Sequence, residues 1–164
     1  MIDILEYLIS EILNFQVLSY NFDFYSDDPS VSAILNFCNN SKFFLQTIDC
    51  SLYSIFELDL LFEKRRVRIT DSGFNIEIYD VCENEIFKGY KNLNKIEEVK
   101  TSLGKALYFS ADNIANFLEN KMELQCSTQD AYRAMQICLE LKEKALKCQK
   151  RFCYSQETLV EQIL

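Results

Sequence analysis

The spacing of hydrophobic positions changes along the chain and divides it into an early helical stretch, an extended middle and a helical end. Residues 2–13 carry apolar side chains at helical spacing, which predicts an amphipathic first helix. From Asn14 to Tyr25 the period falls to about two, and the aromatic and β-branched content favours a strand. Residues 26–30 hold the only proline and predict a turn.

The middle of the chain predicts a series of strands joined mostly by hairpins. The predicted strands are 31–37, 42–48, 54–62, 66–70 and 74–81, with a short extended piece at 85–90. A turn centred on Lys64 and Arg65 would place Phe62 opposite Val67 and Leu60 opposite Ile69. The same register would put Glu63 opposite Arg66 and Asp59 diagonal to Arg68, so that charged partners also meet.

The last third of the chain has helical periodicity. A short helical piece is predicted at 96–100, and Thr101 or Ser102 could cap a helix that runs to about Asn120. Ser127 and Asp130 have the spacing of a capping box, which predicts a second helix from there to about Arg151. The predicted inward positions of the two helices are Ala106, Phe109, Ile114, Phe117 and Leu118, then Ala131, Met135, Cys138, Leu141, Ala145 and Cys148.

This order of elements predicts an α+β fold, with a large, mostly antiparallel sheet and helices packed on one face. We expect a single domain over residues 1–164, with a helix at 1–13, the sheet at 14–90, helices at 96–151 and a tail at 152–164 that could form a last helical turn or two. No run of βαβ units occurs, which argues against a nucleotide-binding parallel sheet.

Composition narrows the function classes. The 164 residues include only three glycines, and neither G-x-G-x-x-G nor G-x-x-x-x-G-K-[ST] occurs. A loop that cradles phosphate is therefore not expected. The formal net charge of -8 disfavours nucleic acid as a partner. The one basic cluster, Lys64-Arg65-Arg66 with Arg68, has acidic neighbours and indicates a solvated hairpin tip, with a polyanion site as the alternative.

Seven cysteines and no histidine limit the chemistry further. No two cysteines have C-x-x-C spacing, so neither a zinc site nor a redox pair is predicted. We interpret the cysteines as reduced thiols of a cytoplasmic protein, several of them small buried hydrophobic residues. The missing histidine removes the commonest general base and metal ligand, and no apolar run is long enough to cross a membrane.

Four segments follow one another along the chain: Ile2 to Leu8, the Glu57–Thr70 hairpin, Asn113-Ile114 and Cys126-Ser127-Thr128-Gln129-Asp130-Ala131. In this order they resemble the C-terminal domain of the Gfo/Idh/MocA oxidoreductases. The first is similar to the helix that leads into that family's sheet and the second to the hairpin that follows, while the last two match its helix with Asn-Ile and its Cys-Ser-x-x-Asp-Ala helix start. The resemblance covers about residues 1–145 and implies a fold like the C-terminal domain of glyceraldehyde-3-phosphate dehydrogenase.

The same resemblance implies what the chain does and what it lacks. Members of the family bind NAD(P) in an N-terminal Rossmann domain that carries the catalytic lysine, with an aspartate and a histidine at the junction. We therefore expect this chain to be the substrate-binding and oligomerisation portion of an NAD(P)-dependent oxidoreductase acting on a sugar, nucleotide-sugar or polyol. It would bind no cofactor itself and be inactive alone, as an excised piece or the product of a split or truncated gene.

Partners and candidate site residues follow from that expectation. We expect a homodimer or higher oligomer through the outer sheet face, possibly a separate Rossmann domain, and neither nucleic acid, membrane nor metal. Lys88, Tyr90 and Lys91 could contact hydroxyls or phosphates of a substrate, with a solvated loop as the alternative. No catalytic residue is predicted, and Cys126, at a helix start that could lower its thiol pKa, is interpreted as a packing residue.

Two other functions stay open at this point. The chain could be a stand-alone, self-associating interaction module, because a sheet face left uncovered favours association. A hydrolase using the carboxylates of Glu57 and Asp59 is the third possibility, with a structural ion pair to Arg68 as the alternative reading of the same residues.

Overall fold

The structure is a computed structural model that describes residues 1–21, 25, 27–49 and 51–161. Its elements are α1 (Ile2–Leu8), β1 (Ile12–Asn21), β2 (Ser30–Phe37), β3 (Lys42–Leu45), β4 (Leu58–Leu61), β5 (Arg65–Thr70), β6 (Asn75–Glu83), β7 (Lys91–Lys100), α2 (Ala106–Leu118) and α3 (Thr128–Glu161). Two 3₁₀ turns lie at Asp71–Gly73 and Leu103–Lys105. The α+β class predicted from the sequence is confirmed.

The backbone contacts divide the chain into two compact units. The first unit contains residues 1–53 and the segment from Cys126 onward, and the second contains Ser54–Gln125. Each unit has its own antiparallel sheet, of three strands in the first and four in the second, in the part of the chain that the structure describes. One large sheet was expected, whereas the strands form two. A single domain over residues 1–164 stays a prediction.

The first unit has its core between its sheet and its helices. The strands pair in the order β1-β2-β3, and α3 contacts α1, β1 and β2. The hydrophobic side chains buried here include Leu5 of α1, Leu35 and Phe37 of β2, and Leu141 and Ala145 of α3. Phe37 and Leu35 lie on the middle strand, where both neighbours protect the backbone and the helices cover the side chains.

The second unit is a four-stranded meander, β4-β5-β6-β7, with two chemically different faces. Successive side chains of a strand point to opposite faces of the sheet, and residues that pair across neighbouring strands lie on the same face. In this sheet one face is apolar and the other is charged. Apolar residues meet on one face, as in the row formed by Leu58, Ile69, Ile76 and Val99. Charged residues occupy the other face and are described with the candidate site.

The β4–β5 hairpin forms as predicted, but its register differs by two residues. Leu58 pairs with Ile69 and Leu60 with Val67, and the backbone N–H of Phe62 donates to the carbonyl of Arg65 at 2.8 Å. The turn is therefore Glu63-Lys64, one residue earlier than its predicted centre. A two-residue slip keeps every side chain on the same face, so the apolar and charged pattern satisfies both registers equally.

A β-bulge explains why residues 96–100 have helical spacing although they form a strand. In the β6–β7 ladder Ile78 pairs with Glu97 and Tyr79 pairs with Lys95, so Ile96 is an extra residue on β7. The extra residue changes the alternation and leaves Leu93, Ile96 and Val99 three residues apart. The helix predicted at 96–100 is wrong for this reason. The extended piece predicted at 85–90 is instead the turn region that connects the two strands.

The first helix is shorter than predicted. It ends at Leu8, and β1 already begins at Ile12, which pairs with Phe37 of β2. The backbone N–H of Ile12 donates to Glu6 Oε1 at 2.9 Å, so a side chain of the helix holds the start of the strand. Pairing with β2 therefore overrides the helical spacing of residues 9–13.

The predicted inward face of α2 is wrong. Ala106, Phe109, Ile114, Phe117 and Leu118 are all exposed, and the buried residue of this helix is Asn113. The prediction for α3 is right at Leu141 and Ala145, but Ala131, Met135 and Cys138 are exposed, because the buried stripe runs through Ile137 instead. The backbone of α3 continues to Glu161, beyond the predicted end, and residues 162–164 lie outside the described part.

None of the five cysteines whose side chains the structure describes is fully buried. Cys38, Cys82, Cys126 and Cys138 are exposed free thiols, and Cys148 is half-buried. The expectation of small buried hydrophobic cysteines is wrong at the four exposed positions, which lie in turns or on outward faces of β6 and α3. The side chains of Cys50 and Cys153 lie outside the described residues.

Candidate functional site

The predicted substrate residues Lys88, Tyr90 and Lys91 lie at the tip of the β6–β7 hairpin, in the second unit. Asn84 organises this tip, because its Oδ1 accepts the backbone N–H groups of Ile86 and Phe87, both at 2.8 Å. The backbone N–H of Asn84 donates to the carbonyl of Tyr90 at 3.0 Å and closes the turn. Gly89 takes a φ of +89°, a conformation that favours glycine.

The hairpin presents the three side chains to solvent. Lys88, Tyr90 and Lys91 are exposed, and the ring of Tyr90 meets that of Phe87 edge to face at 6.4 Å between centroids. Two ammonium groups and a phenol within four residues can bind phosphate or hydroxyl oxygens. The structure brings the three residues together but places them on a projecting turn.

The charged face of the second unit's sheet is a network of ion pairs centred on Glu77. Its carboxylate accepts from Lys95 Nζ at 2.9 Å, from Tyr79 Oη at 3.0 Å and from Arg68 at 3.2 Å. The hydrogen bond from Lys95, followed by that from Tyr79, lowers the pKa of Glu77. This carboxylate is therefore ionised at neutral pH and is unsuited to act as a general acid.

Glu57 and Asp59 are also engaged by arginine. Asp59 accepts a bidentate pair of hydrogen bonds from Arg66, at 2.8 and 2.5 Å, which lowers the pKa of Asp59. Glu57 Oε2 lies 3.8 Å from Arg68 Nη2. The ion-pair interpretation of these carboxylates is confirmed, with Arg66 rather than Arg68 as the side-chain partner of Asp59.

The basic cluster at the β4–β5 turn is largely neutralised. Arg65 Nε donates to Asp80 at 2.7 Å, and Arg66 is held by Asp59. These pairs lie on neighbouring strands and are exposed, so they fix the hairpin rather than present free positive charge. A polyanion site there has no support in this geometry.

The first unit contains an open groove of about 490 Å³ between β1 and α3. Arg133 of α3 lies at its wall and pairs with Glu6 at 3.0 Å and Glu11 at 3.1 Å. Farther along, Lys144 Nζ lies 3.8 Å from the centroid of the Phe15 ring, a cation–π contact. The remaining lining residues are Ile12, Leu13, Asn14, Gln129, Tyr132, Gln136, Ile137 and Glu140.

Sequence reasoning missed this groove, although one signal pointed to it. Arg133 precedes Ile137, Leu141 and Ala145 at intervals of four residues, so a charged residue continues the buried stripe of α3. A charge in such a position needs a partner, and the carboxylate of Glu6 provides it. Both of its carboxylate partners hold Arg133 in place, which leaves Tyr132, Gln129 and Lys144 as the more available groups.

The capping box at the start of α3 forms as predicted. The hydroxyl of Ser127 accepts the backbone N–H of Asp130 at 3.2 Å, and Asp130 Oδ2 accepts the backbone N–H of Ser127 at 2.8 Å. Asp130 also accepts the Ser127 hydroxyl, and this bond is the main cause of its lowered pKa. Both residues are therefore used in starting the helix.

Cys126 next to this helix start is not activated. Partial desolvation of the thiol, followed by the nearby charges of Asp3 and Asp130, raises the pKa of Cys126 instead of lowering it. A protonated thiol is a poor nucleophile. The side chain is nevertheless exposed, so the interpretation of Cys126 as a packing residue is wrong.

Asn113 holds the segment that follows α2. Its Nδ2 donates to the carbonyl of Glu123 at 3.2 Å, and its Oδ1 accepts the backbone N–H of Gln125 at 3.1 Å. Both ends of the buried amide are thus satisfied, as a buried polar group requires. These two hydrogen bonds fix the path of the backbone from the end of α2 to Gln125, the last residue of the second unit.

The described residues contain no group of three or more cysteine, aspartate or glutamate side chains placed to hold a metal ion. Among the same residues, no helix is long and apolar enough to cross a membrane.

Comparison with known proteins gives one structural similarity and no sequence match. No protein-family model and no curated protein sequence matches the chain. The structure is similar to the UDP-N-acetylglucosamine 3-dehydrogenase GnnA from Acidithiobacillus ferrooxidans, with a TM-score of 0.64 and 11% sequence identity. The match covers 86% of this chain and 44% of that one. The chain therefore has an α+β fold like that of a dehydrogenase C-terminal domain, and it spans less than half of the protein it matches.

Proposed function

We propose that this chain is the substrate-binding and oligomerisation portion of an NAD(P)-dependent oxidoreductase of the Gfo/Idh/MocA family, catalytically incomplete on its own. The observation that carries the proposal is the structural similarity to a UDP-N-acetylglucosamine 3-dehydrogenase over 86% of this chain. Hydride transfer needs a nicotinamide cofactor held against the substrate and a proton acceptor beside the reacting hydroxyl. In this proposal a Rossmann domain supplies both, in the same polypeptide or as a separate partner.

Local geometry supports the same relationship. The resemblance rests in part on Asn113-Ile114 and on the Cys126–Ala131 segment, and three residues of these segments have defined structural roles. Asn113 ties the end of α2 to residues 123–125, and Ser127 with Asp130 starts α3.

The substrate class in this proposal is a sugar, nucleotide-sugar or polyol. The β6–β7 tip, with Lys88, Tyr90 and Lys91, is our proposed contact for its hydroxyl or phosphate oxygens. The three side chains are exposed and lie within one short turn. Two ammonium groups favour an anionic ligand such as a nucleotide-sugar diphosphate over a neutral polyol.

Calorimetric titration tests this assignment, with UDP-N-acetylglucosamine, glucose and inositol as probes. We expect the nucleotide-sugar to bind most tightly, and Lys88→Ala and Lys91→Ala each to weaken it by about tenfold, the loss of one charge-assisted contact. Lys100→Ala removes a lysine from the other end of β7 and should change nothing. Equal binding by all four proteins, or no binding of any probe, would count against the β6–β7 tip as a substrate contact.

One observation favours the second function, a self-associating interaction module. The apolar residues of α2 are exposed instead of packed against the sheet. Association through the outer sheet face is the form that we propose for the oligomer of an oxidoreductase. A module without catalytic ancestry would associate equally well but would bind none of the three probes.

A further inference from the structure

The tip of the β6–β7 hairpin repeats one two-residue pattern on either side of Gly89. Phe87-Lys88 precedes the glycine and Tyr90-Lys91 follows it, so an aromatic residue is followed by a lysine twice within five residues. Phe87 is 62% exposed and Tyr90 is 70% exposed. Their rings meet edge to face, at an interplanar angle of 73°, and this arrangement covers less ring surface than face-to-face stacking. The turn therefore presents aromatic surface to solvent next to two ammonium groups.

Backbone hydrogen bonds hold the two aromatic residues in place in the free hairpin. Asn84 Oδ1 accepts the N–H of Phe87 at 2.8 Å, and the N–H of Asn84 donates to the carbonyl of Tyr90 at 3.0 Å. The N–H of Tyr90 donates to the carbonyl of Phe87 at 3.2 Å, and Asn84 Nδ2 donates to Asn92 Oδ1 at 3.0 Å. None of these bonds uses a ring or an ammonium group. The order that a ligand needs thus exists before binding, which lowers the entropic cost of binding.

The two lysines of the tip are available to an anionic ligand. In the same unit Lys95 pairs with two glutamates and Arg66 pairs with an aspartate. By contrast, neither Lys88 nor Lys91 forms an ion pair with any residue that the structure describes. Two lysines and one glutamate give residues 85–91 a formal charge of +1, whereas the whole chain carries -8. The tip is therefore locally basic on an acidic protein and attracts anions.

A nucleotide has both chemical features that this surface can recognise. Its base is a flat π-system that stacks on aromatic side chains with little dependence on which base it is. Its diphosphate offers oxygens that accept charge-assisted hydrogen bonds from ammonium groups. A free sugar has neither an aromatic ring nor a negative charge. The combination of rings and ammonium groups thus points to the nucleotide half of a nucleotide-sugar.

We propose that the β6–β7 tip binds the nucleotide half of a nucleotide-sugar, with the base stacked on the exposed rings of Phe87 and Tyr90 and the diphosphate held by Lys88 and Lys91. This inference rests on the proposed function and deepens it. It adds Phe87 to the site and gives Tyr90 a ring contact with the base in place of a contact with hydroxyl oxygens. The tip needs no contact with the sugar, so it selects the substrate by its nucleotide.

Nuclear magnetic resonance titration of the full, isotope-labelled chain tests the assignment, with UDP, UDP-N-acetylglucosamine, pyrophosphate and N-acetylglucosamine as probes. We expect UDP to shift the amide signals of residues 84–91 and the ring-proton signals of Phe87 and Tyr90. UDP should bind within about threefold of the nucleotide-sugar, and pyrophosphate, which lacks a base, about tenfold or more weakly than UDP. N-acetylglucosamine should shift none of these signals.

A double variant separates the stacking contact from the contact with phosphate. Phe87→Leu combined with Tyr90→Leu removes the rings but keeps apolar side chains, and it should bind UDP about tenfold more weakly while its affinity for pyrophosphate is unchanged. Phe62→Leu is the matched control, because Phe62 is 59% exposed beside the other hairpin turn of the same unit. It should change neither affinity. Circular dichroism of both proteins checks that the fold is retained, which exposed positions should allow.

The outcomes distinguish this inference from the proposed function on which it rests. Binding of UDP-N-acetylglucosamine without binding of UDP, or equal UDP affinity in the wild type and the double variant, would overturn the nucleotide assignment and leave the proposed function in place. Equal affinity for UDP and pyrophosphate would reduce the site to its two lysines and would also overturn the stacking. Binding of neither nucleotide would count against both proposals.

Discussion

At the scale of single residues, three polar side chains hold the segment between α2 and α3. Ser127 and Asp130 satisfy each other's backbone at the start of α3, and Asn113 satisfies the chain ahead of it. The capping box could be predicted from the sequence, because it is local and its spacing is specific. The partners of Asn113 could not, because the amide reaches residues ten and twelve positions ahead, whose path depends on the fold.

Removing the cap should destabilise the protein measurably. Ser127→Ala loses the acceptor for the backbone N–H of Asp130, which should cost about 1 kcal/mol and lower the melting temperature by about 2–4 °C. Ser110→Ala is the control, because that hydroxyl donates to the carbonyl of Ala106 within α2 and caps nothing. An unchanged melting temperature in Ser127→Ala would mean that α3 does not begin here.

Asn113→Ala should cost more than the loss of an ordinary surface bond. The substitution removes two hydrogen bonds made by a buried amide, one to the backbone N–H of Gln125 and one to the carbonyl of Glu123, at about 1–3 kcal/mol in total. Asn116→Ala is the matched control, since Asn116 bonds to Asp112 within the helix on an exposed face. Urea denaturation of the two variants measures the difference, and equal midpoints would contradict the anchoring role.

At the scale of elements, the two faces of the β4–β5 hairpin were predictable, whereas its register and the inward faces of α2 and α3 were not. The alternation of residues 58–69 identified a hairpin and its apolar face, but a slip of two residues preserves both faces and cannot be detected from the pattern. The bulge at Ile96 likewise converts a strand's alternation into a three-residue spacing that resembles a helix. In both cases the deciding interaction is a backbone ladder between strands, which leaves no local sequence signal.

The two faces of β4 predict different costs for replacing two of its leucines. Leu58 is only 2% exposed and Leu61 is 76% exposed on the same short strand. Leu58→Ala should therefore cost about 2–5 kcal/mol of unfolding free energy, whereas Leu61→Ala should change it by no more than about 0.5 kcal/mol. Chemical denaturation of the two variants provides the measurement, and similar losses at both positions would contradict the assignment of faces.

The charged face of the second unit's sheet should make stability depend on acid pH. The pKa values of Asp59, Glu77 and Glu98 are lowered by hydrogen bonds from Arg66 and Lys95. A carboxylate with a lowered folded-state pKa binds fewer protons than in the unfolded chain. The stability that such a carboxylate contributes to the fold is complete above its unfolded-state pKa of about 4. That stability is lost as the pH falls through its lower folded-state pKa.

Glu77→Gln should therefore flatten the loss of stability between about pH 5 and pH 3, measured as the shift of the urea midpoint. Glu85→Gln, an exposed carboxylate in the β6–β7 turn, is the control. A wild-type midpoint that does not fall with acidification, or an identical profile in Glu77→Gln, would contradict the network's role.

At the scale of the whole molecule, the class of fold could be predicted but the division into units could not. Counting strands and helices was sufficient for α+β. The sequence does not reveal that β1–β3 and β4–β7 form separate sheets, because the pairing partners of the edge strands are not encoded locally. The exposure of the apolar residues of α2 was missed for a related reason, since apolar spacing identifies an apolar face without identifying what covers it.

The candidate site could be predicted from the sequence only in part. Lys88, Tyr90 and Lys91 were singled out as a polar patch after the sheet, and the structure brings them together on one turn. The groove beside Arg133 was not foreseen, because it forms between a strand near the start of the chain and a helix near its end. Neither location contains the cofactor-binding motif that a complete dehydrogenase requires.

The central claim is that this chain is the substrate-binding portion of an oxidoreductase whose cofactor is held elsewhere. Fluorescence titration of NADH and NADPH with the purified chain tests that claim most directly, with oxidised cofactors measured by calorimetry. The account predicts no saturable binding of any of the four at micromolar concentration, while UDP-N-acetylglucosamine binds in parallel calorimetric titrations. Micromolar binding of NAD(H) or NADP(H) by this chain would contradict the account.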